Sequence, residues 1–354
     1  MGLAGEGQEA IRCTLGPITN SLRDVDLFMR TVLGGKPWEE ETSLVPLPWK
    51  EVSPTRDFTV GILWDDLIVH PHPPVQRAMK MAVDKLKAAG IKTKDWKPYK
   101  HEHGMRIIND LFYPDGAATQ ISALEASGEP WLPLTKEAFL LARKMTVEET
   151  WVVNLEREAY RTEHRLLMKE QGVDFILCPA YVGVAAEPHE ARYFAYTAIW
   201  NILDMPGVAF PSGLKVDPEL DAVESGYHAR SPQDEAEYAS YSPDKFVAAP
   251  IALQLVRLPA LSSRYSPLTS YVYRWATGSR TKRPSLRQKL SRKLSWHEIT
   301  NIDRFHMGNS TCLKSKKRNK SKYASLLLRG HDRDFVAQRL RTWRWPSYPK
   351  CCRI

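Results

Sequence analysis

Two histidine pairs, His70-Pro71-His72 and His101-Glu102-His103, could each present two metal ligands, because alternate side chains share one face of an extended strand. A zinc site needs further ligands at matching spacing, and no cysteine or additional histidine stands beside either pair. Both pairs therefore read as solvated loop or turn histidines, and no metal is expected. A nucleophilic cysteine needs a neighbouring histidine or a helix N-terminus. The nearest histidine after Cys178 is His189, eleven residues on, so Cys178 reads as a buried structural thiol. A serine nucleophile needs a base to take its proton. Ser21, Ser43 and Ser53 read as a helix cap and loop residues, with no lysine set beside them by a glycine-rich turn. Lys314, Lys316, Lys317, Arg318, Lys320 and Lys322 form a basic run of the kind that contacts phosphate. No zinc-finger spacing or aromatic RNA-recognition phrase surrounds it, so it predicts salt-sensitive, sequence-indifferent attraction and no specific nucleic-acid partner.

The elements that must position such residues are well punctuated up to Val256. Ser21-Leu22-Arg23-Asp24 has the form of a capping box, followed at helical spacing by Leu22, Val25, Phe28, Met29 and Val32, with Gly34-Gly35 expected as a left-handed stop. Residues Trp38 to Pro54 are proline-rich and read as an ordered connection. Phe58 to Trp64 is a short apolar run, a buried strand. Pro73-Pro74 opens a helix with Val75, Met79, Ala82 and Leu86 inward and Gly90 at its end. Strand, connection and helix together make half of a β-α-β unit. Two further helices are expected from Thr135 onward. Thr146-Val147-Glu148-Glu149 is a second capping box, with Val152, Leu155, Ala159 and Leu166 along one face and Gly172 as the stop. Val173 to Cys178, Val208 to Phe210 and Ile251 to Val256 read as strands, and Arg192 to Leu203 as a helix. The alternation predicts an α/β fold, a central sheet covered by helices.

Charge divides the chain at the same place. The 354 residues carry a net +9, but residues 257–354 hold 24 Lys+Arg against 4 Asp+Glu, and residues 1–256 hold 26 against 37. A hydrophobic fraction of 43% with 10% aromatics excludes a wholly disordered chain. There is no run of about 18 uncharged apolar residues, so no membrane span is expected. The N-terminus lacks the basic and apolar regions of a signal peptide. Five cysteines, an odd number, suit a reduced, cytoplasmic protein, and adjacent Cys351 and Cys352 receive no role. Two domains follow: 1–256 as the folded part and 257–354 as a basic tail without a packed core, outside the fold. The tail reads as translated non-coding sequence, with a splice variant or fusion as the alternative.

The folded part resembles the amidase signature family, in particular its fungal acetamidase-like branch. The resemblance rests on Gly5-Glu6-Gly7-Gln8-Glu9, Leu15-Gly16-Pro17-Ile18, Ser21-Leu22-Arg23-Asp24-Val25, Lys36-Pro37-Trp38 and Leu47-Pro48-Trp49. It continues through Val60-Gly61-Ile62-Leu63, Tyr113-Pro114-Asp115-Gly116, Asp174 to Pro179, Trp200 to Pro206 and Ala249 to Val256, in order. It implies a central mixed β-sheet covered by helices, incomplete at its N-terminal side. It also implies hydrolysis of a small carboxamide to carboxylate and ammonia through an acyl-enzyme, without a cofactor. The family's nucleophilic serine, cis-linked second serine and lysine belong to a Gly/Ser-rich stretch and a preceding segment that match no position here, so no catalytic residue is assigned. Tyr196 and Trp200, four apart on one helix face, are the residues the resemblance offers for a substrate pocket. Asp24, Asn201, Asp204 and Pro206 are its signature positions with structural roles, Asn201 and Asp204 satisfying backbone groups before Pro206. The expected partner is a small amide substrate, and assembly as a homodimer is left open. The rival reading is a non-catalytic remnant, or a protein that binds a partner through its basic tail.

Overall fold

The computed structural model describes residues 7–257 apart from 13, 15, 43 and 50–56. The basic tail, its Lys314–Lys322 cluster and Cys351-Cys352 lie outside the described residues, as do Ser43 and Ser53.

Five strands form one mixed sheet in the order β2-β1-β3-β5-β4, with β1 at Thr59–Ile62, β2 at Lys92–Asp95, β3 at Phe175–Pro179, β4 at Gly207–Lys215 and β5 at Pro250–Arg257. β1 pairs in parallel with β2 and β3, whereas β5 runs antiparallel to both β3 and β4. The period-2 alternation of β3 divides the core between the two faces. Phe175 and Leu177 point to one side, Ile176 and Cys178 to the other.

On the first side lies helix α2, Pro73–Ala88. Pro73 and Pro74 occupy its first turn, and Val75, Met79, Ala82 and Leu86 bury themselves against Val60, Ile62, Leu253 and Leu255. Gly90, at φ 75°, turns the chain toward β2. The other side is covered by α3 (His101–Phe112), α6 (Val147–Gln171) and α7 (Ala195–Ile202). Between α3 and α6 run α4, Ala118–Ser127, and α5, Pro133–Leu140.

The second capping box forms in full: the Glu149 amide donates to Thr146 Oγ1 at 3.1 Å and the Thr146 amide to Glu149 Oε2 at 2.7 Å. The first forms by half. In α1, Leu22–Gly34, the Asp24 amide donates to Ser21 Oγ, but the Asp24 carboxylate accepts from the Ser21 hydroxyl and not from its backbone. The expected glycine stop is also displaced. Gly35 stays right-handed at φ −74°, and Lys36 takes the left-handed conformation at φ 51°.

Several elements have no counterpart in the sequence expectations, among them β2, α3, α4 and a short helix at Pro232–Ala239. β2 is a polar edge strand, Lys92-Thr93-Lys94-Asp95, without an apolar signal. α4 buries no residue and carries no amphipathic stripe to read. α3 packs His101, Gly104, Ile107, Ile108 and Leu111 inward, a helical stripe disguised by a histidine and a glycine. Gly104 is there because α3 crosses α6 and α7 closely. A Cβ at that position would stand 2.6 Å from Ile199 Cδ1 and 2.9 Å from the Tyr160 ring. Gly104→Val should therefore lower unfolding free energy by roughly 2–3 kcal/mol through overpacking. Gly104→Ala should cost less, because alanine regains about 1 kcal/mol of helix propensity. Urea midpoints of the two variants check the order.

α6 corrects the reading of its faces. The buried residues are Val153, Tyr160, His164 and Met168, whereas Val152, Leu155, Ala159 and Leu166 face outward. The helix is apolar on two sides, and periodicity alone does not say which is inside.

Candidate functional site

The strand order creates one topological switch point. From β1 the chain crosses through α2 to β2 on one side, then returns to β3 on the other. In open α/β sheets the loops leaving the carboxyl ends of two such diverging strands form the ligand crevice. Here those loops are residues 63–72 and 180–194, and the segment 224–238 packs onto them.

A chain of polar side chains ties these segments together. Asp66, 2% exposed, accepts from the Ile68 and Val69 amides at 2.9 Å each and from the Tyr193 hydroxyl. Burial drives its carboxyl above the ordinary carboxylate value against these donors. Tyr196 donates its hydroxyl to the Val69 carbonyl at 2.8 Å and accepts from the Asp66 amide at 3.3 Å. Burial and the Asp66 charge push the hydroxyls of Tyr193 and Tyr196 well above their usual range.

Next to this lies a charged shell. Arg230 makes a two-pronged bond to Asp65, at 3.0 and 2.9 Å, and His70 Nδ1 stands 3.6 Å from the same carboxylate. Burial opposes the charge of Asp65, yet His70, Arg230 and the Leu67 amide hold its carboxyl far below normal. On its other edge His70 Nε2 meets Gln76 at 2.9 Å and lies 3.7 Å from Glu224. Asp234 accepts from the His70 and Arg230 amides and from Tyr227. His72 is buried and bonds the Glu237 carbonyl at 3.0 Å, and burial pulls its pKa down to about 4.

The histidine expectations thus need correction. His72 and His101 are core residues, not solvated ones, and His101 and His103 sit in the first turn of α3, not in a loop. The sequence hid this because enclosure comes from distant residues, Glu237 165 positions from His72 and Trp200 99 positions from His101. Among the described residues no group of three or more His, Cys, Asp and Glu side chains is placed to hold a metal ion.

Trp200 lies on the opposite side of the sheet from α2, in a second polar cluster set within apolar surroundings. Its ring is 6.3 Å from His101 and 6.4 Å from His164, and Trp96 is 5.4 Å from His164. The indole nitrogens of Trp96 and Trp200, His101 Nε2 and both ring nitrogens of His164 have no hydrogen-bond partner among the described residues. Burial lowers the pKa of His101 to about 4 and of His164 to about 3. Cys178, fully buried beside Trp200, has its thiol pushed far up by burial and donates weakly to the Gln254 carbonyl. That environment makes an inert thiol, not a nucleophile.

Tyr196 and Trp200 are therefore both interior side chains on α7, one in each cluster. Two shallow surface depressions, of about 450 and 370 Å³, lie along α2 and between α3 and α6, and neither is lined by them. Asp24 caps α1. Asp204, left-handed at φ 55°, gives its carboxylate to Arg161 of α6 at 2.9 Å instead of to backbone before Pro206. Asn201 contributes its backbone carbonyl to the Asp204 amide, and Pro206 its own to the Arg257 amide. Serine hydroxyls serve locally: Ser21 and Ser231 cap helices, Ser127 and Ser240 donate to carbonyls three residues back, and Ser212 accepts from the Leu214 amide. The switch-point cluster is satisfied within itself and can position loops and shape a wall. It does not present an activated nucleophile.

Residues 2–260 match the Amidase family, and the chain belongs to it. It is similar to a putative amidase of Schizosaccharomyces pombe, 37% identical over 256 residues, which cover 72% of this chain and 48% of that protein. It is similar also to the acetamidases of Emericella nidulans and Aspergillus oryzae, 30% and 29% identical, over 71% and 75% of this chain and 48% and 52% of theirs. A solved structure of a fatty acid amide hydrolase superposes with a TM-score of 0.71 at 33% identity, covering 78% of this chain and 48% of that one. The fold is the amidase-signature fold, a mixed central sheet covered by helices. The chain spans about half the length of the relatives it matches. Among the described residues no helix is long and apolar enough to cross a membrane.

Proposed function

We propose that the chain is one half of an amide hydrolase whose reaction converts a small carboxamide to carboxylate and ammonia in the cytoplasm without a cofactor. The observation that carries the reading is the match of residues 2–260 to the Amidase family, with acetamidases among the relatives. In the proposed mechanism a neutral lysine accepts, through a cis-linked second serine, the proton of a nucleophilic serine. The serine oxygen attacks the amide carbon, and backbone N–H groups hold the resulting oxyanion. The proton then passes to the leaving nitrogen, ammonia departs, and water hydrolyses the ester. These three residues belong to the part of the family's length that this chain does not span. The described half supplies α2, α3, α6 and α7 around the sheet and the loops that wall the crevice, with Tyr196 behind that wall and Trp200 in the second cluster.

Labelling with a fluorophosphonate, which is attacked by activated serines, tests the assignment. A polypeptide extended by the coding sequence preceding Met1 should be labelled at a serine outside the present 354 residues, and this chain alone should stay unlabelled. Label recovered on a peptide within residues 1–354 would overturn it.

A further inference from the structure

Five buried polar atoms on the side of the sheet opposite α2 take no part in the proposed chemistry. They are the indole nitrogens of Trp96 and Trp200, Nε2 of His101 and both ring nitrogens of His164, and none has a hydrogen-bond partner among the described residues. Four elements bring them together: Trp96 directly follows β2, His101 opens α3, His164 lies on α6 and Trp200 on α7. The Trp96 ring is 5.4 Å from His164, His164 is 6.4 Å from Trp200, and Trp200 is 6.3 Å from His101. All four residues are 4% exposed or less, and Ile107, Met168, Val173 and Ile199 pack in the same cluster. Neighbouring groups do not complete them. Tyr160 gives its hydroxyl proton to the Tyr99 carbonyl at 2.8 Å, and the Cys178 sulfur is too weak an acceptor to satisfy the Trp200 indole. A buried polar atom left unpaired forfeits its solvation, so native interiors keep few of them. Because this chain's own side chains enclose all five atoms, a segment added from outside the described residues does not reach them. Their partner must be small and internal.

We propose that the cluster of Trp96, His101, His164 and Trp200 is a binding site for internal water, which bridges these rings. The hydrogen-bonding capacity of the four side chains selects that occupant. Each indole only donates, whereas a neutral imidazole donates from one nitrogen and accepts at the other. Burial holds both imidazoles neutral. The site therefore needs a molecule that accepts from the indoles and also donates to a histidine nitrogen. Water does both, and a buried water ordinarily has two to four such partners. A water about 2.9 Å from each of two nitrogens joins atoms up to about 5.8 Å apart, the scale on which these rings are separated. A metal cation would face the hydrogens of two indole N–H groups, and among the described residues no third ligand stands by. An anion would be buried beside neutral rings without a compensating charge. An enclosed water completes the hydrogen bonds of a neutral ring but does not supply the solvation of a charged one, so both rings still resist protonation.

The test is magnetisation transfer from water to the indole protons of the full chain at pH 7, with isotopically labelled tryptophan and with Trp96→Phe and Trp200→Phe to assign the two signals. Both protons should show a direct cross-relaxation peak with long-lived water. His164→Phe, which removes the nitrogens that hold the water beside Trp96, should lose the Trp96 peak. His164→Gln, which keeps a donor and an acceptor, should retain it. A crystal structure of the same chain should show density within about 2.7–3.2 Å of at least two of the five nitrogens. Indole protons without a water peak in the parent chain, and no such density, overturn the proposal. A Trp96 peak that survives His164→Phe overturns it as well, because the transfer then comes from a labile side-chain proton such as that of Tyr160. Density that bromide replaces, seen by its anomalous signal, overturns it in favour of an anion. If neither His164 variant folds, the parent spectrum and the crystal density decide by the same criteria.

Discussion

Acidification from pH 7 to pH 4.5 should unfold the described part of the protein. His72, His101 and His164 are buried in the neutral form, with pKa values pulled from 6.5 to about 4, 4 and 3. His164, 0% exposed, has no partner for either nitrogen among the described residues, and burial, with His101 nearby, disfavours its protonation. Above pH 6.5 the folded and unfolded chains both hold these rings neutral, and stability is undiminished. Below it the unfolded chain binds protons that the folded chain refuses, so stability falls until pH reaches the folded values. At pH 4.5 each ring costs on the order of 2–3 kcal/mol, and the three together approach the scale of a whole domain's stability. Asp66 and Glu237, whose carboxyls burial raises, act in the opposite direction and offset a small part of this. Urea unfolding at pH 7, 6, 5 and 4.5 measures the slope, and His164→Leu should remove about a third of it. A midpoint that does not move between pH 7 and pH 5 would show that these rings are hydrated or paired.

What could be read from the residues alone follows a physical division. α2 was legible because its signals are local: two prolines at the start, four apolar positions at helical spacing, a glycine at the end. β3 and β5 were legible because strands covered on both faces are continuous apolar runs. β2 was not, since an edge strand at this sheet's border meets solvent and its residues are Lys92, Thr93, Lys94 and Asp95. α3 was missed because its interior positions include His101 and Gly104, which carry no hydrophobic signal although they are closely packed. The helical pattern starts at Arg192 but α7 begins at Ala195, and the apolar run Val208 to Phe210 marks only the start of β4, which extends from Gly207 to Lys215.

The candidate site was less legible than the fold for the same reason. The tie between Asp66 and Tyr193 spans 127 residues, and that between Asp65 and Arg230 spans 165. A local pattern does not encode such pairings. Asp65 and Asp66 directly after a predicted strand were the one available signal, because a strand's carboxyl end is where an α/β fold places polar loops. The inward and outward faces of α6 show the limit in another form. Both are apolar at helical spacing, and only the position of the sheet decides between them.

Supplied alone, the chain should release no ammonia from acetamide, formamide or an aryl amide above a mock purification. Amide hydrolysis through an acyl-enzyme needs a nucleophile, its base and an oxyanion site held in one geometry. Ser21, Ser127, Ser212, Ser231 and Ser240 are engaged as caps and turn ligands, and the lysines with close partners serve surface pairs such as Lys100 with Glu163 and Lys245 with Glu187. Cys178 is sealed beneath the sheet and held as a thiol. Loss of the nucleophile alone costs about six orders of magnitude in turnover, so residual binding of an amide by the crevice loops would not conceal it. The comparison is with a polypeptide that also carries the coding sequence preceding Met1, assayed at neutral pH to keep the three buried histidines uncharged. If that longer polypeptide turns over and its nucleophilic serine, changed to alanine, abolishes the rate, the half described here acts as the scaffold and wall of an amidase. Turnover by the short chain itself would place the active site within these 354 residues, and the switch-point cluster around Asp66 and Tyr193 would then be the first region to mutate.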